Sequence, residues 1–96
     1  MDIQTIGIVG AGQMGNGIAH VMALAGYDVL LNDVSAEALQ KAVDTITGNL
    51  DRQVGRGKVT EADRDATLKR IVTTQTLEEL GQSDLVIEAA TERETV

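Results

Sequence analysis

The hexapeptide Gly10-Ala11-Gly12-Gln13-Met14-Gly15 decides the fold of this chain, because of the segments on either side of it. An apolar run at residues 6–9 precedes it, and residues 14–25 follow with apolar side chains at helical spacing. A second apolar run then ends at Asp33. A strand, a glycine turn, a helix, a second strand and an acid, in this order, are typical of a dinucleotide-binding βαβ unit.

Each glycine of the turn has its own task in that interpretation. Gly10 allows a tight turn out of the strand, since a residue without Cβ tolerates a positive φ. Gly12 lets the backbone approach a pyrophosphate, and Gly15 lets the helix pack close to the strand. Unpaired N–H groups and the positive end of the helix dipole then face the phosphates. A purely structural glycine turn is the alternative. The residues predicted to bind the cofactor here are Gly10, Ala11, Gly12, Gln13, Met14 and Gly15.

Asp33, at the end of the second predicted strand, is expected to accept hydrogen bonds from the adenosine ribose hydroxyls. A carboxylate at this point repels a 2′-phosphate, and the next two residues, Val34 and Ser35, carry no positive charge. NAD is therefore predicted as the cofactor in preference to NADP. A helix-capping role for Asp33 is the alternative, and one side chain is able to fill both roles.

The composition restricts the class of protein. The 96 residues suffice for one small domain, predicted to be an NAD-binding domain spanning residues 1–96. A hydrophobic content of 43% with 24% charged residues favours a globular chain over a disordered one. The net charge of −7 argues against a nucleic-acid partner. Cysteine is absent, which excludes disulfides and thiolate metal sites.

The sequence also bears on location. No apolar run approaches the ~20 residues of a membrane span, so no membrane partner is expected. The first residues lack the basic segment of a secretory signal. A cytoplasmic location is therefore expected by default.

The complete pattern predicts an α/β fold of the Rossmann type, with a parallel sheet and helices on both of its faces. Strands are predicted at residues 3–9, 28–32, 71–74 and 84–89, and helices at 14–25, 36–54 and 60–70, with a helical turn at 76–80. The second and third helices form an inserted hairpin, with Ser35 and Thr60 as their N-caps. Residues 91–96 are typical of a helix beginning, so the chain is expected to be a fragment cut after the fourth strand.

A polar cluster occupies the end of the long predicted helix. Asn49, Arg52 and Arg56 fall at positions i, i+3 and i+7, so they share one face. In so acidic a chain, this local positive charge is suited to an anionic group such as a phosphate. The alternative is a solvated face with cations placed favourably near a helix C-terminus.

Three further polar residues call for an interpretation. His20 is the only histidine, and without a second histidine or a cysteine it is predicted to have a packing or surface role. Glu88 and Glu92 come at and just after the end of the fourth strand, where open α/β sheets bind ligands. A cofactor contact and a first-turn acid favoured by the helix dipole fit the position of Glu92 equally well.

Two segments together resemble the 3-hydroxyacyl-CoA dehydrogenase family, most of all its bacterial 3-hydroxybutyryl-CoA members. They are residues 6–19, which contain the glycine turn, and Asp84-Leu85-Val86-Ile87-Glu88-Ala89-Ala90-Thr91-Glu92. The resemblance covers the whole chain and includes the hairpin. It implies an NAD-dependent enzyme that oxidises the 3-hydroxyl of an (S)-3-hydroxyacyl-CoA to a 3-ketone.

The resemblance also implies roles for particular residues. The turn from Gly10 to Gly15 corresponds to the family's pyrophosphate turn, Asp33 to its ribose acid and Glu92 to a glutamate near the nicotinamide. Asn49 stands where many relatives have a serine that contacts coenzyme A. Arg52 and Arg56 stand where bacterial relatives carry basic residues that face the same ligand, an acyl-coenzyme A substrate.

The family's catalytic groups lie downstream of this sequence. They are a histidine with its partner glutamate, and a serine and an asparagine that hold the substrate carbonyl. No residue of the chain is therefore expected to be catalytic, no metal is expected, and the chain alone is expected to be inactive. The helical domain that makes the family's homodimer is also downstream.

Two other functions remain compatible with the residues. A β-hydroxyacid dehydrogenase of the hydroxyisobutyrate or phosphogluconate type has a similar glycine turn, although such enzymes tend to lack the hairpin and often carry an arginine after the second strand. A non-catalytic NAD-binding module is the other possibility.

Overall fold

The computed structural model describes residues 2–89, which form a four-stranded parallel sheet in the order β3-β2-β1-β4. The strands are β1 (Thr5–Val9), β2 (Asp28–Asn32), β3 (Ile71–Thr74) and β4 (Leu85–Glu88). The helices are α1 (Gln13–Leu24), α2 (Ala36–Gly55) and α3 (Glu61–Arg70), with a 3₁₀ helix at Leu77–Gln82. The strand order reverses between β1 and β4, as in doubly wound folds. The predicted Rossmann-type fold is confirmed, with strand ends that differ by one or two residues.

The core lies where the three α-helices cover one face of the sheet. Ile8 and Leu31 are paired across β1 and β2 and are fully buried. The core residues contributed by α1 are small and those of α2 are mostly large: Ala19, Ala23, Leu39, Ala42, Ile46 and Leu50. Burial of each large aliphatic side chain contributes about 1.5–3 kcal/mol. The alanines keep α1 close to the sheet, which positions its N-terminus beside β1.

Within residues 2–89, the 3₁₀ helix and the residue after it pack on the opposite face of the sheet. A Cβ at Gly7 would lie 2.6 Å from Ser83 Oγ and 2.8 Å from Leu80 Cδ2, so β1 packs directly against this segment. Val72 and Val86 share that face with Gly7 and are 53% and 48% exposed. The sequence predicts helices on both faces of the sheet. The structure has three α-helices on one face and a short 3₁₀ helix on the other.

The inserted hairpin of α2 and α3 begins as the sequence predicts. Ser35 Oγ accepts a hydrogen bond from the N–H of Ala38 at 3.1 Å. Thr60 Oγ1 accepts one from the N–H of Asp63 at 3.0 Å. Each hydroxyl satisfies a backbone donor that has no partner inside its helix, so both N-caps define where a helix begins.

Asp84 joins the beginnings of β1 and β4. Its Oδ2 accepts hydrogen bonds from the N–H groups of Gln4 at 2.9 Å and Thr5 at 3.0 Å. These two donors stabilise the ionised carboxylate, and they hold the pKa of Asp84 below its ordinary value of 3.8. A carboxyl whose pKa falls on folding stabilises the fold above its unfolded pKa. That contribution is lost as the pH falls through the folded pKa.

We predict that Asp84→Asn lowers the melting temperature of the chain at about pH 7, because a neutral amide is a weaker acceptor for two backbone donors. The difference from wild type should shrink as the pH falls through the lowered pKa of Asp84, because the wild-type carboxyl then becomes protonated as well. Thermal melts across this pH range measure both effects. Asp2→Asn removes an exposed charge near the same strand as a control. Equal melting temperatures for the two variants at about pH 7 would contradict the prediction.

Candidate functional site

The glycine turn lies at the carboxyl edge of the sheet, between β1 and α1. Gly10 has a φ of 106°, a backbone conformation that residues with a side chain rarely adopt. Its N–H donates to the carbonyl of Asn32 at 2.7 Å, which holds the turn to the end of β2. A Cβ at Gly15 would lie only 1.7 Å from the carbonyl oxygen of Gly10. The structure therefore has the backbone features that the sequence predicts for Gly10 and Gly15, while their cofactor contacts stay a prediction.

The N-terminus of α1 is open where a ligand would approach. Gly12 is the N-cap, and the space that its Cβ would occupy has no atom within 4 Å among the described residues. No side chain in residues 2–89 caps the helix, and its first turn contains no acidic residue. Gln13 and Met14 follow on the surface of that turn, with Met14 53% exposed. Uncapped N–H groups at the positive end of a helix dipole favour an anion.

Asp33 links the glycine turn to the beginning of α2. Its Oδ2 accepts a hydrogen bond from the N–H of Ala11 at 2.9 Å, and its Oδ1 accepts one from the N–H of Ser35 at 2.9 Å. The second contact is an Asx turn that precedes the helix. Asp33 is not the N-cap of α2, because Ser35 occupies that position. Two backbone donors thus fix the orientation of the Asp33 carboxylate beside the turn.

Asn32, which sequence reasoning passed over, fixes the neighbouring corner of the sheet. It is buried at the end of β2, and its Nδ2 donates to the carbonyls of Thr74 at 3.3 Å and Thr76 at 3.1 Å. The N–H of Asp33 also donates to the Thr74 carbonyl, at 3.2 Å. The segment after β3 is therefore held beside the predicted ribose acid. The one signal in the sequence is a polar residue at the end of an apolar strand.

A cleft of about 470 Å³ separates the glycine turn from α2. Gly12 and Gln13 line it from the turn, and Lys41 and Thr45 line it from α2. Another cleft, of about 280 Å³, lies between α2 and β3 and contains no residue of the turn. Because the uncapped donors of α1 border only the first of these two clefts, it is the candidate nucleotide site.

The predicted phosphate-binding residues lie together on the last turns of α2. The Arg52 guanidinium donates to the side-chain oxygen of Asn49, so these two residues are in contact. Arg56 is the exposed C-cap residue of the helix. The structure thus brings Asn49 and Arg52 into contact and puts Arg56 about one helical turn further along, at the end of the same helix. Both interpretations of these residues, an anion site and a solvated helix end, are consistent with this arrangement.

Three candidates remain, which are His20, Glu88 and Glu92. His20 Nε2 lies 3.1 Å from Gln53 Oε1 and joins α1 to α2, as a packing role requires. Glu88 ends β4 in an exposed position opposite Val9. Glu92 lies outside the described residues.

No group of three or more His, Cys, Asp or Glu side chains in residues 2–89 is suited to holding a metal ion. None of the helices described there combines the length and the apolar character that crossing a membrane requires.

An open parallel sheet, a glycine turn leading into an uncapped helix and an acid at the end of β2 define a dinucleotide-binding domain of the Rossmann type. The family model described as 3-hydroxyacyl-CoA dehydrogenase, NAD binding domain, matches residues 5–96. The chain therefore belongs to the 3-hydroxyacyl-CoA dehydrogenase family, which confirms the resemblance seen in the two segments.

Similar proteins agree with this assignment. The 3-hydroxybutyryl-CoA dehydrogenase of Bradyrhizobium diazoefficiens is 56% identical over 94 residues, which are 98% of this chain and 32% of that protein. The 3-hydroxyadipyl-CoA dehydrogenase of Escherichia coli K12 is 47% identical over 97% of this chain and 20% of its own length. A crystal structure of (S)-3-hydroxybutyryl-CoA dehydrogenase from Ralstonia eutropha matches with a TM-score of 0.93 and 47% identity, over 97% of this chain and 33% of that one. The chain thus spans a third or less of each of these relatives.

We predict that Gly15→Ala destabilises the chain by about 3 kcal/mol or more, because the added methyl group must displace the Gly10 carbonyl. Urea denaturation measures this effect. Gly17→Ala is the matched control, since it lies in the same helix with no atom within 4 Å of the added Cβ. The control should be neutral or more stable than wild type by up to about 1 kcal/mol. Similar losses in both variants would show that the close approach of helix and turn is unimportant.

Proposed function

We propose that this chain binds NAD and forms the nucleotide-binding part of a dehydrogenase that oxidises the 3-hydroxyl of an (S)-3-hydroxyacyl-CoA, in particular 3-hydroxybutyryl-CoA. The observation that carries the proposal is the pairing of the uncapped α1 N-terminus with the oriented Asp33 carboxylate on one glycine turn. Membership of the family and the names of its relatives support the choice of reaction. NAD, when bound, supplies the acceptor for the hydride.

Gly12 in the turn and Asp33 beside it fit the two ends of an adenosine diphosphate group. Gly12 leaves room for phosphate oxygens beside the first N–H groups of α1. Each oxygen of Asp33 already accepts one backbone hydrogen bond, and a carboxylate oxygen has a second acceptor position for a ribose hydroxyl. A 2′-phosphate would place its charge against this carboxylate, so we infer that the chain prefers NAD to NADP.

The coenzyme A portion of the substrate is proposed to lie at the other end of α2. There Asn49, Arg52 and Arg56 offer an amide and two guanidinium groups, which suit phosphate oxygens. Glu92 is proposed to contact the nicotinamide half of the cofactor. The groups that remove the hydroxyl proton are proposed to belong to the rest of a longer protein, which we infer to be a cytoplasmic homodimer.

We predict that calorimetry detects NAD binding by the folded chain and at least about tenfold weaker binding of NADP, a preference that Asp33→Asn should reduce. The reason is the loss of the negative charge that opposes a 2′-phosphate. Asp44→Asn is the control, because this carboxylate lies on α2 and binds Gln40 instead of the turn. Tighter binding of NADP than of NAD, or no NAD binding by folded protein, would refute the proposal.

A second prediction concerns the substrate and separates this function from that of a β-hydroxyacid dehydrogenase. Free coenzyme A is expected to bind the chain, and Arg56→Gln is expected to weaken that binding while leaving NAD affinity unchanged. Addition of 3-hydroxybutyryl-CoA and NAD is expected to give no NADH, because the proposed proton acceptor is not part of this chain. Turnover by the 96 residues would place the catalytic groups within them.

A further inference from the structure

We propose that Lys41 binds the diphosphate of the dinucleotide from the side opposite the glycine turn. This inference rests on the proposed function, since it assigns a further residue to the same site. Sequence reasoning did not single out Lys41, and its role emerges only from the packing of α2 against α1.

The fold brings Lys41 to the nucleotide cleft. The helix α2 begins just after Asp33, which is itself bound to the turn through the N–H of Ala11. The second turn of α2 therefore faces the first turn of α1. Lys41 lines the cleft from that side, while Gly12 and Gln13 line it from the turn.

The charges around the cleft are suited to an anion. Although the chain carries a net charge of −7, Lys41 is the one charged side chain among the residues that line this cleft. The first turn of α1 holds no acid, and the nearby carboxylate of Asp33 is hydrogen-bonded to two backbone N–H groups. The cationic Lys41 side chain and the positive end of a helix dipole therefore border one space, an arrangement that an anion stabilises.

Lys41 is also not engaged by a carboxylate of the described residues. Glu37 precedes it by one helical turn, a spacing that favours an ion pair. Within residues 2–89, however, the ion pairs are those of Arg64 with Asp51 and with Asp65. The ammonium group of Lys41 thus has three N–H donors to offer to a ligand.

A diphosphate is present both in a dinucleotide and in coenzyme A, and the geometry favours the first source. The cleft contains the turn residues Gly12 and Gln13, whose backbone suits the dinucleotide phosphates. Arg52 lies eleven residues further along α2, or about 16 Å at the rise of an α-helix. One diphosphate group is too short to contact both Lys41 and Arg52, so the two cations serve different ligands.

The experiment compares Lys41→Gln with the wild-type chain by calorimetry against NAD and against free coenzyme A. We expect about fivefold weaker NAD binding, an unchanged affinity for coenzyme A and a weaker salt dependence of NAD binding, because one charged contact is lost. Lys41→Arg keeps the charge and should retain most of the affinity. Lys69→Gln, an equal charge change in the last turn of α3, is the matched control. Circular dichroism checks that each variant is folded.

Three outcomes would overturn the inference. Equal NAD affinities for Lys41→Gln and Lys69→Gln would show that the position of the charge is unimportant. Weaker binding of coenzyme A alone would assign Lys41 to that ligand instead. Failure of the wild-type chain to bind NAD would refute the proposed function itself, and the role of Lys41 with it.

Discussion

The approach of α1 to the glycine turn governs the rest of the site. A Cβ on Gly15 would lie 1.7 Å from the carbonyl oxygen of Gly10, so helix and turn are too close for any side chain at this position. Gly10 in turn has a positive φ and is bound to the end of β2. These contacts fix the N-terminus of α1 at the carboxyl edge of the sheet. Dinucleotides bind at this edge in folds of the Rossmann type.

The parts of the fold that the sequence predicts well have local causes. The hydroxyls of Ser35 and Thr60 cap the helices that begin just after them. Gly10 is required by the positive φ of its own backbone. Helix caps and glycine turns depend on a few neighbouring residues, so a short window of sequence predicts them. The bounds of β2 and β3 also agree with the prediction, since each strand is a short run of mostly apolar or β-branched residues.

The unpredicted parts depend on residues far apart in the chain. Asn32 acts through carbonyls 42 and 44 residues away, and no periodicity in the sequence indicates that pairing. Lys41 belongs to a regular helical pattern and gains its place in the cleft only because α2 packs beside α1. The contact between Arg52 and Asn49 is predicted only in part. Helical spacing predicts that the two side chains are neighbours, but it does not predict whether they bind a ligand.

The inserted hairpin is fastened to α1 at two separate points. His20 of α1 meets Gln53 near the end of α2, and the Arg70 guanidinium donates to the carbonyl of Ala23 at 2.7 Å, just before β3 begins. The same carbonyl also accepts a hydrogen bond from the N–H of Gly26 at 3.1 Å, so Arg70 adds a second donor at the end of α1. Both helices of the hairpin are therefore joined by side-chain contacts to the helix that follows the glycine turn. The distance between the cations of α2 and the glycine turn is therefore set by contacts inside the protein itself.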